Sequence, residues 1–316
     1  MPRRTHRAAA RGGLTLAALA LAASTLLGCG SATSADEAAP DDGRPVVLTT
    51  FTVLADMARN VAGDHLRVES ITKPGAEIHG YEPTPSDVRR AADAELILNN
   101  GLGLEAWFEQ FVADLDVPRA VVSDGIEAIP IAGDAHHGLP NPHAWMSPRS
   151  AQLYIDNIVT AFSALDPQHA DDYAANGQAY QTELQSVHDE LTAQLAELPE
   201  QQRALVTCEG AFSYLARDTG LTERYIWAVN AEQQATPRQI AGTIDFVRDN
   251  NVPAVFCEST VSDKPMRQVV ESTDAVFGGV LYVDSLSDAG GPVPSYLALI
   301  RHDANLIAEA LTGSTP

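Results

Sequence analysis

Short apolar runs alternate along the chain with segments in which apolar residues recur every three or four positions. The apolar runs predict strands, and the longer period predicts helices. Strands are predicted at residues 46–50, 66–72, 95–99, 119–123, 204–207, 225–229, 254–257 and 276–283. Helices are predicted at residues 53–61, 86–92, 104–115, 148–165, 211–218, 236–250, 264–273 and 295–311. Such alternation is typical of α/β proteins with mainly parallel sheets flanked by helices.

One longer helical segment separates the two halves of this pattern. Asp166 followed by Pro167 is a typical helix start, and Pro199 ends the segment. Between them, apolar or aromatic side chains recur on one helical face. We therefore predict two α/β lobes, at residues 46–165 and 200–316, joined by one long rigid linking helix over residues 166–199.

The N-terminus has the pattern of a secretory signal. Residues 1–11 are basic, and residues 14–27 form an apolar run that is shorter than the ~20 residues a membrane-spanning helix needs. The run ends in Leu-Leu-Gly-Cys at Cys29, which resembles a bacterial lipobox in which the cysteine thiol carries diacylglycerol. This pattern predicts a lipoprotein signal peptide at 1–28 and a lipid-anchored flexible tether at 29–45. The alternative is an ordinary signal peptide with an incidental cysteine.

The charge balance excludes some partners. The chain has 20 Lys and Arg against 42 Asp and Glu, a formal net charge of −22 at pH 7. A protein this acidic repels nucleic acid and anionic lipid headgroups. We therefore expect no nucleic-acid partner, and we expect contact with the membrane only through the lipid anchor. The 45% of apolar residues is enough to build a core.

Four side chains with metal-binding chemistry lie at predicted strand ends or in loops. His79, Glu209 and Asp284 follow predicted strands, and His143 lies in a loop. Ligands of open α/β sheets bind outside the carboxyl ends of the strands. Two of the four residues come from each predicted lobe, as a metal held between lobes requires. Taken singly, each could equally be a hydrogen-bonded loop histidine or a helix-capping carboxylate.

Seven short segments have the residue types and order of one family of binding proteins. They are Glu77–Asp87, Asn99–Phe108, Pro142–Met146, Leu205–Tyr214, Ile226–Glu232, Glu258–Val261 and Val283–Ser285. Through them the chain resembles, from about residue 46 to 311, the solute-binding lipoproteins of metal-specific ABC importers (cluster A-I). The resemblance implies two lobes bridged by a single rigid helix, with metal ligands at His79, His143, Glu209 and Asp284. In one departure, Asn141 stands where the family usually has Asp.

By this resemblance, we expect a monomeric, lipid-anchored protein on the outer side of a bacterial cell membrane. It would capture a divalent metal between its lobes and deliver it to an ABC permease and its ATPase. Two imidazoles with two carboxylates favour Mn²⁺ over Zn²⁺ or Fe²⁺, because carboxylate oxygens suit the harder ion. Zinc members of the family usually have His where this chain has Glu209. A zinc- or iron-specific importer subunit of the same family is the alternative.

Two other classes of protein fit the sequence less well. A secreted metallohydrolase needs an open coordination position and a general base, and the sequence contains neither a His-Glu-x-x-His motif nor a nucleophile elbow. A surface adhesin would be favoured by repeats or aromatic patches, and the sequence shows neither. We therefore do not expect an enzyme.

Cys208 and Cys257 both lie at the ends of predicted second-lobe strands. Outside the cytoplasm these cysteines could form a disulfide, provided that the two strands are neighbours. Two buried free thiols are the alternative.

Overall fold

In a computed structural model, described over residues 43–133, 136–229 and 235–313, the first lobe forms around four parallel strands. The strands are β1 (Val46–Thr49), β2 (Arg67–Ser70), β3 (Leu96–Asn99) and β4 (Arg119–Val121), in the order β2-β1-β3-β4. The helices are α1 (Thr52–Ala62), α2 (Pro85–Ala92), α3 (Ala106–Val112) and α4 (Pro148–Leu165), and a 3-10 helix spans Ala144–Met146. The predicted parallel arrangement is confirmed here.

The second lobe is also built from parallel strands. They are β5 (Ala204–Glu209), β6 (Thr222–Trp227), β7 (Ala254–Glu258) and β8 (Val276–Leu281), which pair as β5–β6 and β7–β8. Its helices are α6 (Ser213–Thr219), α7 (Pro237–Asn250), α8 (Lys264–Glu271) and α9 (Tyr296–Thr312). The Cα atoms of Cys208 in β5 and Cys257 in β7 are 4.8 Å apart, so these two strands are neighbours.

The long helix α5 spans Ala170–Leu195 and contacts both lobes. Its 26 residues correspond to about 39 Å, somewhat less than the predicted segment. The first turn, Pro167–His169, is a 3-10 helix. The Asp166 side chain accepts no backbone N–H of this turn. Its carboxylate instead accepts hydrogen bonds from His169 Nδ1 (2.6 Å) and the Tyr173 hydroxyl (2.7 Å).

A single hydrophobic cluster joins the lobes through α5. The face of α5 that the sequence pattern predicted is buried, and α5 packs against α1, α4 and α9. Buried residues of all these helices belong to the same cluster. The two lobes therefore share one large core cluster, and each lobe also has a smaller cluster of its own.

The ends of several elements differ from the sequence prediction. Helix α2 begins at Pro85 because Thr84 and Asp87 form a reciprocal capping box in front of it. Helix α3 begins only at Ala106, since the Glu105 side chain accepts backbone N–H bonds from Asn100 and Gly101. Strand β6 begins at Thr222, three residues earlier than predicted, where its residues are polar and only partly buried.

Several sequence predictions lie outside the described residues. They are the signal peptide at 1–28, the lipid-carrying Cys29, most of the tether, and the part of one family motif at 230–232. Among the residues that the structure describes, no helix is both long enough and apolar enough to cross a membrane.

Candidate metal centre

The structure brings the four predicted side chains to one place at the carboxyl edges of the sheets. His79 lies in the loop between β2 and α2, and His143 immediately precedes the 3-10 helix. Glu209 is the last residue of β5, and Asp284 lies three residues beyond the end of β8. Carboxylates at these positions could also cap helices, but the residues at the N-caps of α6 and α9 are Phe212 and Ser295.

The donor atoms of His79, His143 and Asp284 all lie within 4.8 Å of one another, as ligands of one ion would, and the Glu209 carboxylate lies beside both histidines. His79 Nε2 lies 3.0 Å from His143 Nε2, 3.5 Å from Glu209 Oε1 and 3.8 Å from Asp284 Oδ1. His143 Nε2 lies 3.8 Å from each of the same two carboxylate oxygens. Ligands about 2.1 Å from a tetrahedral metal ion are about 3.4 Å from one another, which is within this range.

The site is almost completely closed to solvent. The side chain of His79 is 7% exposed, those of Glu209 and Asp284 are 1% exposed, and that of His143 is fully buried. Within the described residues, Asp284 Oδ1 has no hydrogen-bond partner. An unpaired buried carboxylate oxygen is costly, and a bound cation would satisfy it.

Burial also sets the protonation of the ligands. It lowers the pKa of His143 well below the usual value, and the neighbouring His79 lowers it further. Burial lowers the pKa of His79 to about 4, although the charge of Glu77 acts in the opposite direction. Both imidazoles are therefore neutral at pH 7, as metal coordination requires. Burial, together with the charges of Glu209 and Glu77, raises the pKa of Asp284 well above the usual value.

The loops that carry the histidines are fixed by nearby side chains. The Glu77 carboxylate accepts the backbone N–H groups of His79 (2.8 Å) and Gly80 (3.1 Å). Asn141 Oδ1 accepts the backbone N–H of His143 (3.0 Å) and lies 2.8 Å from its ring Nδ1. The side chain of Asn100 donates to the carbonyl of Pro142, the residue before His143 (3.1 Å).

Two supporting residues were missed by sequence reasoning. The indole N–H of Trp145 donates to the carbonyl of Val283, next to Asp284 (3.1 Å). The carboxyl of Glu258 accepts the backbone N–H of Glu209 (3.1 Å), and burial raises the pKa of Glu258 to about 8. Both residues belong to the segments that carry the family resemblance, but nothing in their spacing indicated these contacts.

The structure joins Cys208 and Cys257 in a disulfide. Cys208 precedes Glu209, and Cys257 precedes the Glu258 that holds the Glu209 backbone. The bridge therefore links β5 and β7 one residue away from the candidate metal centre.

A cavity of about 340 Å³ opens beside His79. It is lined mainly by apolar residues, including Leu104, Trp107 and Leu139, and by His136. His79, the most exposed of the four candidate ligands, is the one that this cavity reaches. A larger cavity of about 690 Å³, between residues 129–133 and β6, touches none of the four.

Comparison with known proteins identifies the family. Residues 47–310 match the family described as ZnuA, zinc-uptake complex component A, periplasmic. The chain belongs to this family. The resemblance seen in the sequence and the predicted two-lobe α/β fold are thereby confirmed.

Relatives of this chain carry names that refer to different metals. The chain is 53% identical over 264 residues to the iron-binding protein YfeA of Yersinia pestis, covering 83% of this chain and 85% of that protein. It is 33% identical over 273 residues to the manganese ABC transporter substrate-binding lipoprotein PsaA of Streptococcus pneumoniae, covering 84% and 88%.

Two solved structures of periplasmic metal-binding proteins have the same fold. The Mn-bound periplasmic metal-binding protein of Candidatus Liberibacter asiaticus superposes with a TM-score of 0.80 at 37% identity, over 85% of this chain and 100% of that one. The periplasmic zinc-binding protein TroA of Treponema pallidum gives a TM-score of 0.76 at 26% identity, over 85% and 99%.

Proposed function

We propose that this chain captures one divalent transition-metal ion, with Mn²⁺ favoured, between its lobes and delivers it to an ABC permease for import. The observation that carries the proposal is the convergence of His79, His143, Glu209 and Asp284 on one buried point. Two come from each lobe, and one buried carboxylate oxygen lacks a hydrogen-bond partner within the described residues. The role is binding and not catalysis, in line with relatives named as transporter substrate-binding proteins.

The choice of Mn²⁺ rests on the donor set. Two carboxylates neutralise a dication, and each can bind through both oxygens, which raises the coordination number above four. Relatives named for iron, manganese and zinc keep Fe²⁺ and Zn²⁺ as alternatives. Zn²⁺ binds more tightly than Mn²⁺ at almost any such site, so tight Zn²⁺ binding alone does not identify the cargo.

The proposed cellular setting is supported by the sequence and by relatives named as lipoproteins. Cys29 carries the lipid anchor, the tether links the anchor to the lobes, and a permease with its ATPase accepts the ion from the monomeric protein. The net charge of −22 attracts cations and speeds their encounter with the protein at low salt.

Calorimetric titration of the metal-free protein tests this function. We expect one Mn²⁺ per chain, loss of binding in His79→Ala, and unchanged binding in His302→Ala, a histidine on α9 that contacts the carbonyl of Val280. Tight, His79-dependent Zn²⁺ binding without Mn²⁺ binding would assign the chain to zinc import. Binding that is insensitive to His79→Ala would refute the proposed centre.

A further inference from the structure

A chain of hydrogen bonds runs from His143 in the first lobe to the half-buried Glu223 in the second. His143 Nδ1 contacts Asn141 Oδ1 at 2.8 Å. The Asn141 amide nitrogen Nδ2 donates to the carbonyl of Gly210 (2.7 Å) and to Ser213 Oγ (3.2 Å). The Ser213 hydroxyl donates to Glu223 Oε2 (2.5 Å).

The donors and acceptors in this chain allow one arrangement. A carbonyl oxygen can only accept, so the Gly210 carbonyl requires Nδ2 of Asn141 on its side. The Asn141 oxygen therefore faces His143, where it accepts the backbone N–H, which can only donate. That same oxygen accepts from the ring, so Nδ1 of His143 carries the proton.

The protonation of Nδ1 matters because Nε2 of His143 is the nitrogen that points at the candidate metal centre. With the proton on Nδ1, the lone pair lies on Nε2, 3.8 Å from both Glu209 Oε1 and Asp284 Oδ1. A histidine ligand commonly donates its second ring N–H to a carboxylate or a carbonyl, which fixes both tautomer and ring orientation.

We propose that Asn141 is a positioning residue that fixes His143 as the Nδ1–H tautomer and ties it to the Glu209–Gly210 segment of the second lobe. The inference rests on the proposed function for its meaning, because the tautomer matters only if Nε2 binds a metal. Asn141 is 3% exposed and lies between the two lobes. Its amide contacts His143 twice in the first lobe, and Gly210 and Ser213 in the second.

The second lobe thereby controls a ligand of the first. The Gly210 carbonyl follows Glu209 directly and orients the Asn141 amide. If this segment moved away, the amide would lose the acceptors that hold it, and His143 could adopt the other tautomer. An Asp at position 141 could accept from His143 but could not donate to Gly210.

The tautomer can be measured directly. Nitrogen-15 NMR of the histidine rings, assigned with His143→Gln, should show His143 protonated at Nδ1 in the metal-free, otherwise unchanged protein. A dominant Nε2–H form would overturn the proposal. This measurement needs neither metal nor an altered Asn141, so its outcome is independent of whether the chain binds Mn²⁺.

Variants then separate the two roles of the amide. Asn141→Ala should mix the tautomers and weaken Mn²⁺ binding by about 10- to 100-fold. Asn141→Asp should keep the Nδ1–H signal and lose less affinity than Asn141→Ala. Asn157→Ala is the matched control, since the Asn157 amide holds the carbonyls of Val122 and Asp124 elsewhere in the first lobe. We expect the Mn²⁺ affinity of Asn157→Ala to equal that of the unchanged protein.

Two outcomes of the variant series would contradict the proposal. If the Mn²⁺ affinity of Asn141→Ala stayed within about threefold of that of the unchanged protein and His143 kept the Nδ1–H tautomer, Asn141 would not be a positioning residue. If Asn141→Asp bound Mn²⁺ as tightly as the unchanged protein, the hydrogen bond from Asn141 to the Gly210 carbonyl would have no role in metal binding.

Discussion

The substitution Asp284→Asn should change stability and metal response in opposite directions. Asp284 is buried, its Oδ1 has no hydrogen-bond partner within the described residues, and burial raises its pKa. Without metal, this carboxyl carries the cost of an unsatisfied buried polar group, about 1–3 kcal/mol. An amide of the same shape removes the negative charge, and with it the repulsion from Glu209 and Glu77, so the free energy of unfolding of the metal-free protein should rise by about 1–2 kcal/mol.

With metal present, the sign reverses. Mn²⁺ at 100 times its dissociation constant should stabilise the unchanged protein by about 2.7 kcal/mol, and this increment should largely vanish in Asp284→Asn. Urea unfolding with and without Mn²⁺ measures both effects. Asp303→Asn is the matched control. Asp303 is similarly buried, and one of its oxygens is unpartnered within the described residues, but its other oxygen accepts the backbone N–H of Tyr282 and it is not one of the four candidate ligands.

The control should therefore keep the full response to Mn²⁺. If Asp284→Asn also retained that response, Asp284 would not be a ligand. If Asp284→Asn instead made the metal-free protein less stable, the reasoning about its unsatisfied oxygen would be wrong.

Three further predictions follow from other parts of the structure. Replacing Cys208 and Cys257 with Ser should lower the free energy of unfolding by up to about 4 kcal/mol for a separation of 49 residues, and should weaken Mn²⁺ binding; urea unfolding and calorimetry test this. Burial raises the pKa of Glu105 to about 7, so the folded state binds this proton more tightly than the unfolded state does. The stability contribution of Glu105 is thus present below about pH 4.5 and lost as the pH rises through 7, and urea midpoints from pH 5 to 8 should fall less steeply in Glu105→Gln. Trp145→Phe removes the indole donor to the Val283 carbonyl and should cost about 1–3 kcal/mol, measurable by urea unfolding.

Periodicity in the sequence was sufficient to predict the strands, the helices and their parallel arrangement. The placement of Glu209 and Asp284 followed from a general rule, because parallel strands bring their carboxyl ends to one edge. The rule did not show that His79 and His143 reach the same point, and for them the family resemblance was needed. The ends of elements depended on side-chain contacts, such as the Thr84–Asp87 capping box, which periodicity does not report.

The supporting contacts could not be read from the sequence for a physical reason. Asn141 and Gly210 are 69 residues apart, and Trp145 and Val283 are 138 apart. Hydrogen bonds over such separations depend on how the lobes pack, which no local pattern contains. The residue types did not indicate these contacts either, because a buried Asn or Trp commonly has a structural role.

The same contacts constrain how a bound ion can leave. The lobes share one hydrophobic cluster through α5, so a wide separation would expose core residues. Hydrogen bonds also tie ligand segments across the lobes. The amide of Gly75, near His79, donates to Ser285 Oγ, and the amide of Leu286 donates to Thr52 Oγ1. Each such bond contributes only about 1 kcal/mol, far less than the shared core. Release should therefore proceed by local movement of the ligand loops while the lobes stay together.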